Sequence, residues 1–360
     1  MTTNITRRKE RHLSFLQRRN IRPLIGCIEG WENLSRYVKN TEDFLPKGNV
    51  PIDALTPDRL LSMYENADVL KDHDDLIRTV EPYTFVPWIE AALGCAVEYT
   101  GKNVWSSPVE QTKTPRGRSE WMQTMLAGGM QNQSRKWIEK YETLLAVLAN
   151  RFGAEHPVGQ AILRGPLDTA GAVFGDEAAI YLFFDEPDLM RRFLDMAAKI
   201  FQRFVEAHQR QVPPFAGGTV LGSYYLWTPG SAMRLQEDAM ALLSPDLYRE
   251  FVHPVDCALA SRTECTLFHM HATGLHLLDV LLQNDGLDII QVSKDEGVPL
   301  GPIIPKLRRI QDAEKCLVIK GRFNEEEIAN LKTSLDPHGL CIQGVVLDSH
   351  EADAFMQAFD

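Results

Sequence analysis

"CTLFHMH" (265–271), "LDIIQV" (287–292), "CLVIKG" (316–321) and "GLCIQGVVL" (339–347) are four short apolar runs in the last third of the chain. Between them lie "GLHLLDVLLQ" (274–283), "PKLRRIQDA" (305–313) and "EEEIANLKTSL" (325–335), each with the look of a helix. Strand-like runs alternating with helices of about ten residues imply parallel βα units.

Working back toward the N-terminus, the same alternation continues less regularly. "SPDLYREFVHPVDCALA" (244–260) opens on a Ser-Pro cap signal and continues as a helix. "TVLGSYYLW" (219–227) and "MRLQEDAM" (233–240) are short apolar–polar pieces. "DEPDLMRRFLDMAAKIFQRFVEAHQRQ" (185–211) is a long amphipathic helix whose acidic start and basic end suit the helix dipole. Before it, "VGQAILRGPLDTAG" (158–171) reads as a strand ending at Gly165–Pro166. "LGCAVEYT" (93–100) reads as another strand, and residues 55–93 as helical around an acidic cluster, "KDHDD". "PLIGCIEG" (23–30) is a strand that breaks at Gly30. About eight such units favour a (β/α)8 TIM barrel with extra N-terminal helices over an open sheet. The expectation is a single barrel domain over residues 1–360, with a helical insertion within about 20–100.

Composition narrows the function classes. The chain has 360 residues, 44% of them hydrophobic, which suffices for a large core. Its formal net charge is −11, with 49 acids against 38 bases. That balance excludes a nucleic-acid or anionic-membrane surface from the expectation, because phosphate binding needs concentrated Lys and Arg. The one basic stretch, "RRKERHLSFLQRRN" (7–20), lacks the apolar centre of a secretion signal and reads as a surface helix. No run approaches the length of a membrane span, and the six cysteines are scattered without a CxxC pair. Buried free thiols in a cytoplasmic protein are the expectation.

In a barrel of this kind, chemistry gathers where strands end and βα loops begin. Those ends carry Glu29, Trp31, Asp168, Trp227, Gln236, Glu237, Asp238, His269, His271, Gln291, Lys320, Arg322 and Asp348. His269 and His271 are two apart on one strand, so their side chains share a face, while His276 falls in the following helical stretch. Two imidazoles so placed can bind one divalent metal, hold a substrate carboxylate, or be structural. Glu237 and Asp238 supply a further ligand or a general acid/base, or merely cap a helix. Lys320 and Arg322 offer anion clamps or salt bridges, and Gln291 a polar contact to substrate. "YYLW" (224–227), with Trp227, offers aromatic pocket walls or core. "RGP" (164–166) makes a tight turn able to bring backbone amides to a ligand.

Several stretches read together resemble the uroporphyrinogen decarboxylase superfamily. They are "RRKERHLSFLQRRNIRPLIG", "RGPLDTA", "DEPDLMRRFLD", "EDAMALLSPDLYREFVHPV", the histidine strand with "ATG", and "GLCIQGVVLDSHEADAF". The resemblance implies a (β/α)8 barrel and nearly spans the chain. Its metal-free porphyrin decarboxylases carry an Arg-Gln-Ala-Gly-Arg loop, which "CIEGWENLSRYV" (27–38) does not match. The other branch transfers methyl groups between corrinoid proteins and thiols, using zinc held by a His-x-Cys pair and a later Cys. Carried over, that implies zinc on His269 and His271, the latter in place of the cysteine, and a corrinoid protein as partner. Cys341 stands at the start of its strand, the wrong end for the third ligand, so Asp348, His350 or an acid of Glu237–Asp238 has to complete the set. Related barrels often dimerise, and a homodimer belongs to the same expectation.

Three functions follow as expectations. The first is a metal-assisted methyltransferase-like enzyme acting on a small-molecule substrate. The second is a metal-independent decarboxylase or lyase of a small carboxylate, with the histidines as acid–base groups. The third is a non-catalytic ligand-binding barrel.

Overall fold

A computed structural model describes residues 2–29, 45–65 and 74–359. Trp31, and the part of the helical reading that falls on 66–73, lie outside the described residues. Eleven strands are described: β1 (Leu24–Glu29), β2 (Gly48–Asn49), β3 (Ala96–Tyr99), β4 (Val104–Ser107), β5 (Gly218–Leu221), β6 (Leu226–Pro229), β7 (Ala232–Gln236), β8 (Cys265–His271), β9 (Ile289–Lys294), β10 (Cys316–Gly321) and β11 (Leu340–Val346). Six of them form one parallel sheet in the order β1-β11-β10-β9-β8-β7. The protein is therefore mixed α/β around a six-stranded parallel sheet, with helices as crossovers, as parallel pairing requires.

The four runs at the C-terminal end of the sequence are the four strands β8 to β11, and "MRLQ" and "LIGCIE" supply the two edges. "LGCAVEYT" does contain a strand, β3, but it pairs antiparallel with β2 and β4 in a separate three-stranded sheet. "TVLGSYYLW" folds back on itself as the antiparallel β5–β6 hairpin. "VGQAILRG" runs without a ladder of its own and makes a single parallel bridge, Val158 to Val80. Its helix begins at Pro166, at the turn expected.

Register divides the main sheet into two faces. Leu235, Phe268, Ile290, Val292, Ile319 and Ile342 face one way and join the large apolar cluster built with the helices. The amphipathic helix Pro187–Gln211 contributes the fully buried Phe193, Phe201 and Phe204 to that cluster. The opposite, inner face is apolar near the strand starts, with Leu24, Cys265, Leu267, Ile289, Val318 and Cys341 in a smaller cluster. Toward the strand ends the same face becomes polar: Arg234, Gln236, His269, His271, Gln291, Ser293, Lys320 and Gln343 all share it by register.

The N-terminal segment forms a helix, Thr2–Leu16, but not a surface one. Phe15 is buried in the inner cluster, and the Cys316 thiol donates to the Phe15 carbonyl at 3.4 Å. Arg8, His12 and Phe15 lie on one stripe at helical spacing, and all three are buried. The alternation of charges with Leu13 and Leu16 masks that stripe in the sequence. The helix covers the N-terminal ends of the strands and leaves their C-terminal ends for the site. All six cysteines are free, five of them buried. Among the described residues no helix is long and apolar enough to cross a membrane.

Candidate metal centre

β7 and β8 pair with Gln236 opposite His269, so the loop after β7 carries Asp238 over the end of the histidine strand. Asp238, His269 and His271 offer ligand atoms that all lie within 4.8 Å of one another. Asp238 Oδ1 is 3.4 Å from His269 Nε2 and 3.8 Å from His271 Nε2. Each imidazole is held from behind through its other nitrogen. His269 Nδ1 bonds Gln291 Oε1 and lies 2.8 Å from the Tyr224 hydroxyl, while His271 Nδ1 bonds the Asp295 carboxylate. An Nδ1–H donated to these oxygens leaves both Nε2 lone pairs aimed at one carboxylate oxygen. That is the tautomer and the carboxylate-supported arrangement that metal-ligating histidines use.

The electrostatics agree with that donor set. Burial brings the His269 imidazole down to about 4 against the opposing pull of the Asp238 carboxylate, so it is neutral at pH 7. Burial works to raise Asp238, but the His269 bond and the charges of His269, His271 and Arg234 outweigh it and bring the carboxyl to about 2. Two lone pairs and a carboxylate oxygen converging at 3.4 and 3.8 Å repel one another unless a metal cation, or a proton shared with the carboxylate, stands among them. The residues present fit a divalent metal ion. His269 is enclosed, with 7% of its side chain exposed, whereas His271 and Asp238 show 37% and 41%. The centre is therefore closed at the back and open at the front, as a site with spare coordination positions must be.

A shell of buried acids lies behind it. Glu237 Oε2 accepts the Leu167 and Asp168 backbone N–H groups at 3.0 and 3.1 Å. The amides that follow the "RGP" turn thus go to Glu237, and Gly165 permits the approach: a Cβ there would stand 2.2 Å from the Gln236 carbonyl oxygen. Asp168 Oδ1 accepts the Ala239 N–H at 2.7 Å and pins the loop that carries Asp238. Burial, and then the charge of Asp238, push Asp168 up to about 8. Asp256 accepts the Tyr248 hydroxyl at 2.6 Å, and burial pushes it up to about 7.

The candidates that the sequence nominated separate accordingly. Asp238, His269 and His271 come together. Gln291 lies directly behind His269, and its amide donates to Ser293 Oγ at 3.2 Å, so it positions a histidine and does not face the opening. Glu237 is fully buried against the helix Pro166–Phe174 and turns away from the triad. Lys320 lies on the inner face, 5.5 Å from the centre of the Tyr224 ring. Arg322 is exposed just past β10. Trp227 is packed away from the centre, donating to the Phe215 carbonyl under the N-terminal helix. Asp348 caps the last helix by accepting the Glu351 N–H at 2.9 Å and is not part of the triad. Cys341 is fully buried in register with Leu24 at the far end of the sheet, the position its place in the sequence implied.

Asp295 and Arg234 are the participants that sequence reading passed over, and Tyr224, read within "YYLW" as a pocket wall or core, lies against His269 Nδ1. Arg234 had a signal: in "RLQED" the period of two puts Arg234, Gln236 and Asp238 in line, and sets Glu237 apart. Asp295 had the same signal, in line with Gln291 and Ser293 at a period of two, although it lies one residue beyond its strand. No protein-family model and no curated protein matches the chain.

Proposed function

We propose that Asp238, His269 and His271 bind a divalent metal ion, and that the protein is a methyltransferase-like enzyme moving a methyl group from a corrinoid or related carrier to a small acceptor. The observation that carries the metal reading is the convergence of both Nε2 atoms on one Asp238 oxygen, with both Nδ1 atoms held from behind. Zinc is the ion implied by the likeness to the corrinoid-linked branch of the uroporphyrinogen decarboxylase superfamily. Two imidazoles, one carboxylate and an open side suit zinc, and the same set also suits iron(II). Asp238, His269 and His271 would hold the ion, and its charge would favour the thiolate form of an incoming thiol, the form that attacks an electrophilic methyl group.

The chain's own residues do the rest. Gln291 and Asp295 fix the histidine tautomers, and the exposed edge formed by His271 and Asp238 sets the direction from which the acceptor enters. In the transfer the bond from carbon to the carrier breaks as the sulfur–carbon bond forms. The carrier keeps the bonding electron pair, and the thiol proton passes to solvent.

The same reading takes the six-stranded sheet as part of a closed (β/α)8 barrel. Two extended segments at its edges support this. Asp75 N–H donates to the Ile25 carbonyl on β1 at 3.1 Å, and Gly165 N–H donates to the Gln236 carbonyl on β7 at 2.8 Å. Between them Val80 bridges Val158 in parallel, and Gly159 N–H donates to the Val80 carbonyl at 2.9 Å. The chain of contacts runs from one sheet edge to the other.

Protein purified without chelator is expected to hold close to one divalent metal per chain, and His269→Ala and Asp238→Ala to lose it. Wild-type protein without metal, or unchanged metal in both variants, overturns the metal reading. With methylcobalamin as donor, the loaded protein is expected to methylate a small thiol. Bound metal without transfer to any thiol overturns methyl transfer and leaves the metal centre standing.

A further inference from the structure

We infer that Arg234 and Lys320 form an anion-binding subsite on the inner face of the sheet, next to the metal triad, that takes the acid group of a small organic monoanion. Arg234 is 8% exposed, and its Nε and Nη1 are buried with no hydrogen-bond partner. Its remaining nitrogen, Nη2, donates to the neutral Gln236 Oε1. The Lys320 ammonium lies 5.5 Å from the centre of the Tyr224 ring, and the Arg234 guanidinium 5.3 Å from the same centre. Among the described residues neither cation makes an ion pair.

Asp238 feels the charge of Arg234 but makes no ion pair with it, its oxygens facing His269, His271 and the Gln236 amide. The charge of Arg234 is felt by Glu81, but both Glu81 oxygens are taken. Oε1 accepts Thr79 Oγ1 and the Ser223 N–H, each at 2.7 Å, and Oε2 accepts Thr84 Oγ1 at 2.7 Å. The spare acceptor at the paired position on β11, Gln343 Oε1, is neutral. Burial, and then Arg234, bring the Lys320 ammonium down to about 8, so even its charge is held against its surroundings. Two cations sharing one aromatic ring on a half-dry face are unfavourable unless an anion joins them.

The subsite is wired to the triad. Gln236 accepts from Arg234 and donates to Asp238 Oδ2, and the Tyr224 hydroxyl lies 2.8 Å from His269 Nδ1. In register, Ser293 pairs with both Lys320 and His271, so the lysine stands level with the second histidine. Below the cations the face is closed by Leu267, Ile289 and Val318, which limits the ligand to a small one. A carboxylate or sulfonate held here leaves the other end of a short molecule at the open side of the triad. Only that orientation rests on the proposed metal function; the anion site stands on the two cations alone.

Thermal unfolding with propionate or methanesulfonate, at ionic strength held constant with sodium chloride, tests this. Wild-type protein is expected to gain about 2 °C or more in Tm, saturably, and Arg234→Met and Lys320→Met to lose the response. Without ligand both variants are expected to melt no lower than wild type, because each removes an uncompensated cation. No saturable rise above the chloride control with either acid overturns the proposal, as does an undiminished rise in both variants. Should Arg234→Met fail to fold, Arg234→Gln and Lys320→Met decide by the same criterion. A chelator-treated sample is expected to keep the response, which separates failure of the anion site from failure of the metal reading. The response of one acid without the other tells carboxylate from sulfonate.

Discussion

Asp295 and Gln291 do as much for the triad as the ligands' own sequence positions. An imidazole has two nitrogens, and a hydrogen-bond acceptor behind Nδ1 is what leaves the Nε2 lone pair free to ligate toward the opening. Asp295→Asn keeps the shape of the acceptor behind His271 and removes its charge. It is expected to weaken metal affinity by about 10- to 100-fold while leaving Tm of the metal-free protein within about 1 °C, since the residue is partly exposed. A competition titration against a fluorescent zinc chelator measures the first, and a melt in chelator the second. Unchanged affinity would show that Asp295 does not support a ligand. At this scale the sequence was half legible. His269 and His271 announce themselves by spacing, because strand period alone puts them on one face. Arg234 is harder to see, because Glu237 and Asp238 stand side by side in the sequence while the period of two sends them to opposite sides and aligns Asp238 with Gln236 and Arg234.

At the scale of elements, one imidazole ties the N-terminal helix to both the Asp75 segment and the β5–β6 hairpin. His12 Nε2 lies 2.9 Å from the Asp75 carbonyl, and its Nδ1 accepts the Trp227 N–H at 2.8 Å, which fixes a neutral tautomer with the proton on Nε2. That hairpin carries Tyr224 to His269 through a turn in which Ser223 and Tyr225 adopt φ of 63° and 56°. Backbone so strained persists only where neighbours fix it, and Glu81 and His12 are among those neighbours. His12→Ala leaves a buried donor and a buried acceptor unpaired and is expected to lower stability by about 3 kcal/mol, read by urea denaturation. Burial also holds His12 at about 4, and His208, whose Nε2 lies 3.0 Å from the Val158 carbonyl, at about 4. An unfolded imidazole titrates near 6.5, so between about 6.5 and 4 the unfolded chain binds the protons that the folded one refuses. Stability contributed by the two is therefore complete above pH 6.5 and falls as the pH drops toward 4. His208→Gln is expected to reduce the slope of stability against pH in that window by one proton, about 1.4 kcal/mol per pH unit. An identical slope in the variant would place the titrating group elsewhere.

Across the whole molecule, β8 to β11 were legible because each is an apolar run lying between helices, a pattern few other arrangements produce. The stretch at 74–80 was not, since Asp74, Asp75, Arg78 and Thr79 break the apolar pattern, whereas 158–165 reads as a strand and is extended with one parallel bridge. The polar side chains of both stretches are satisfied inside the fold. Asp75 accepts the Ile25 N–H and the Arg22 guanidinium, Asp74 accepts the Cys27 N–H and Arg78, and Gln160 donates to the Ala232 carbonyl. Side chains thus replace ladder bonds at both sheet edges, and neither segment forms a ladder of its own. If these segments close a barrel, their amides share the cooperative unit of the sheet. Hydrogen exchange is expected to protect the Asp75, Val80, Gly159 and Gly165 amides to within about tenfold of those of β8 and β9. Gly165→Ala, whose Cβ would meet the Gln236 carbonyl oxygen and the Glu237 carboxyl, is expected to lower Tm and to loosen all four amides together, not Gly165 alone. Fast exchange at Val80 and Gly159 beside a protected sheet would instead mean an open sheet, whose edges at β1 and β7 are covered by loops.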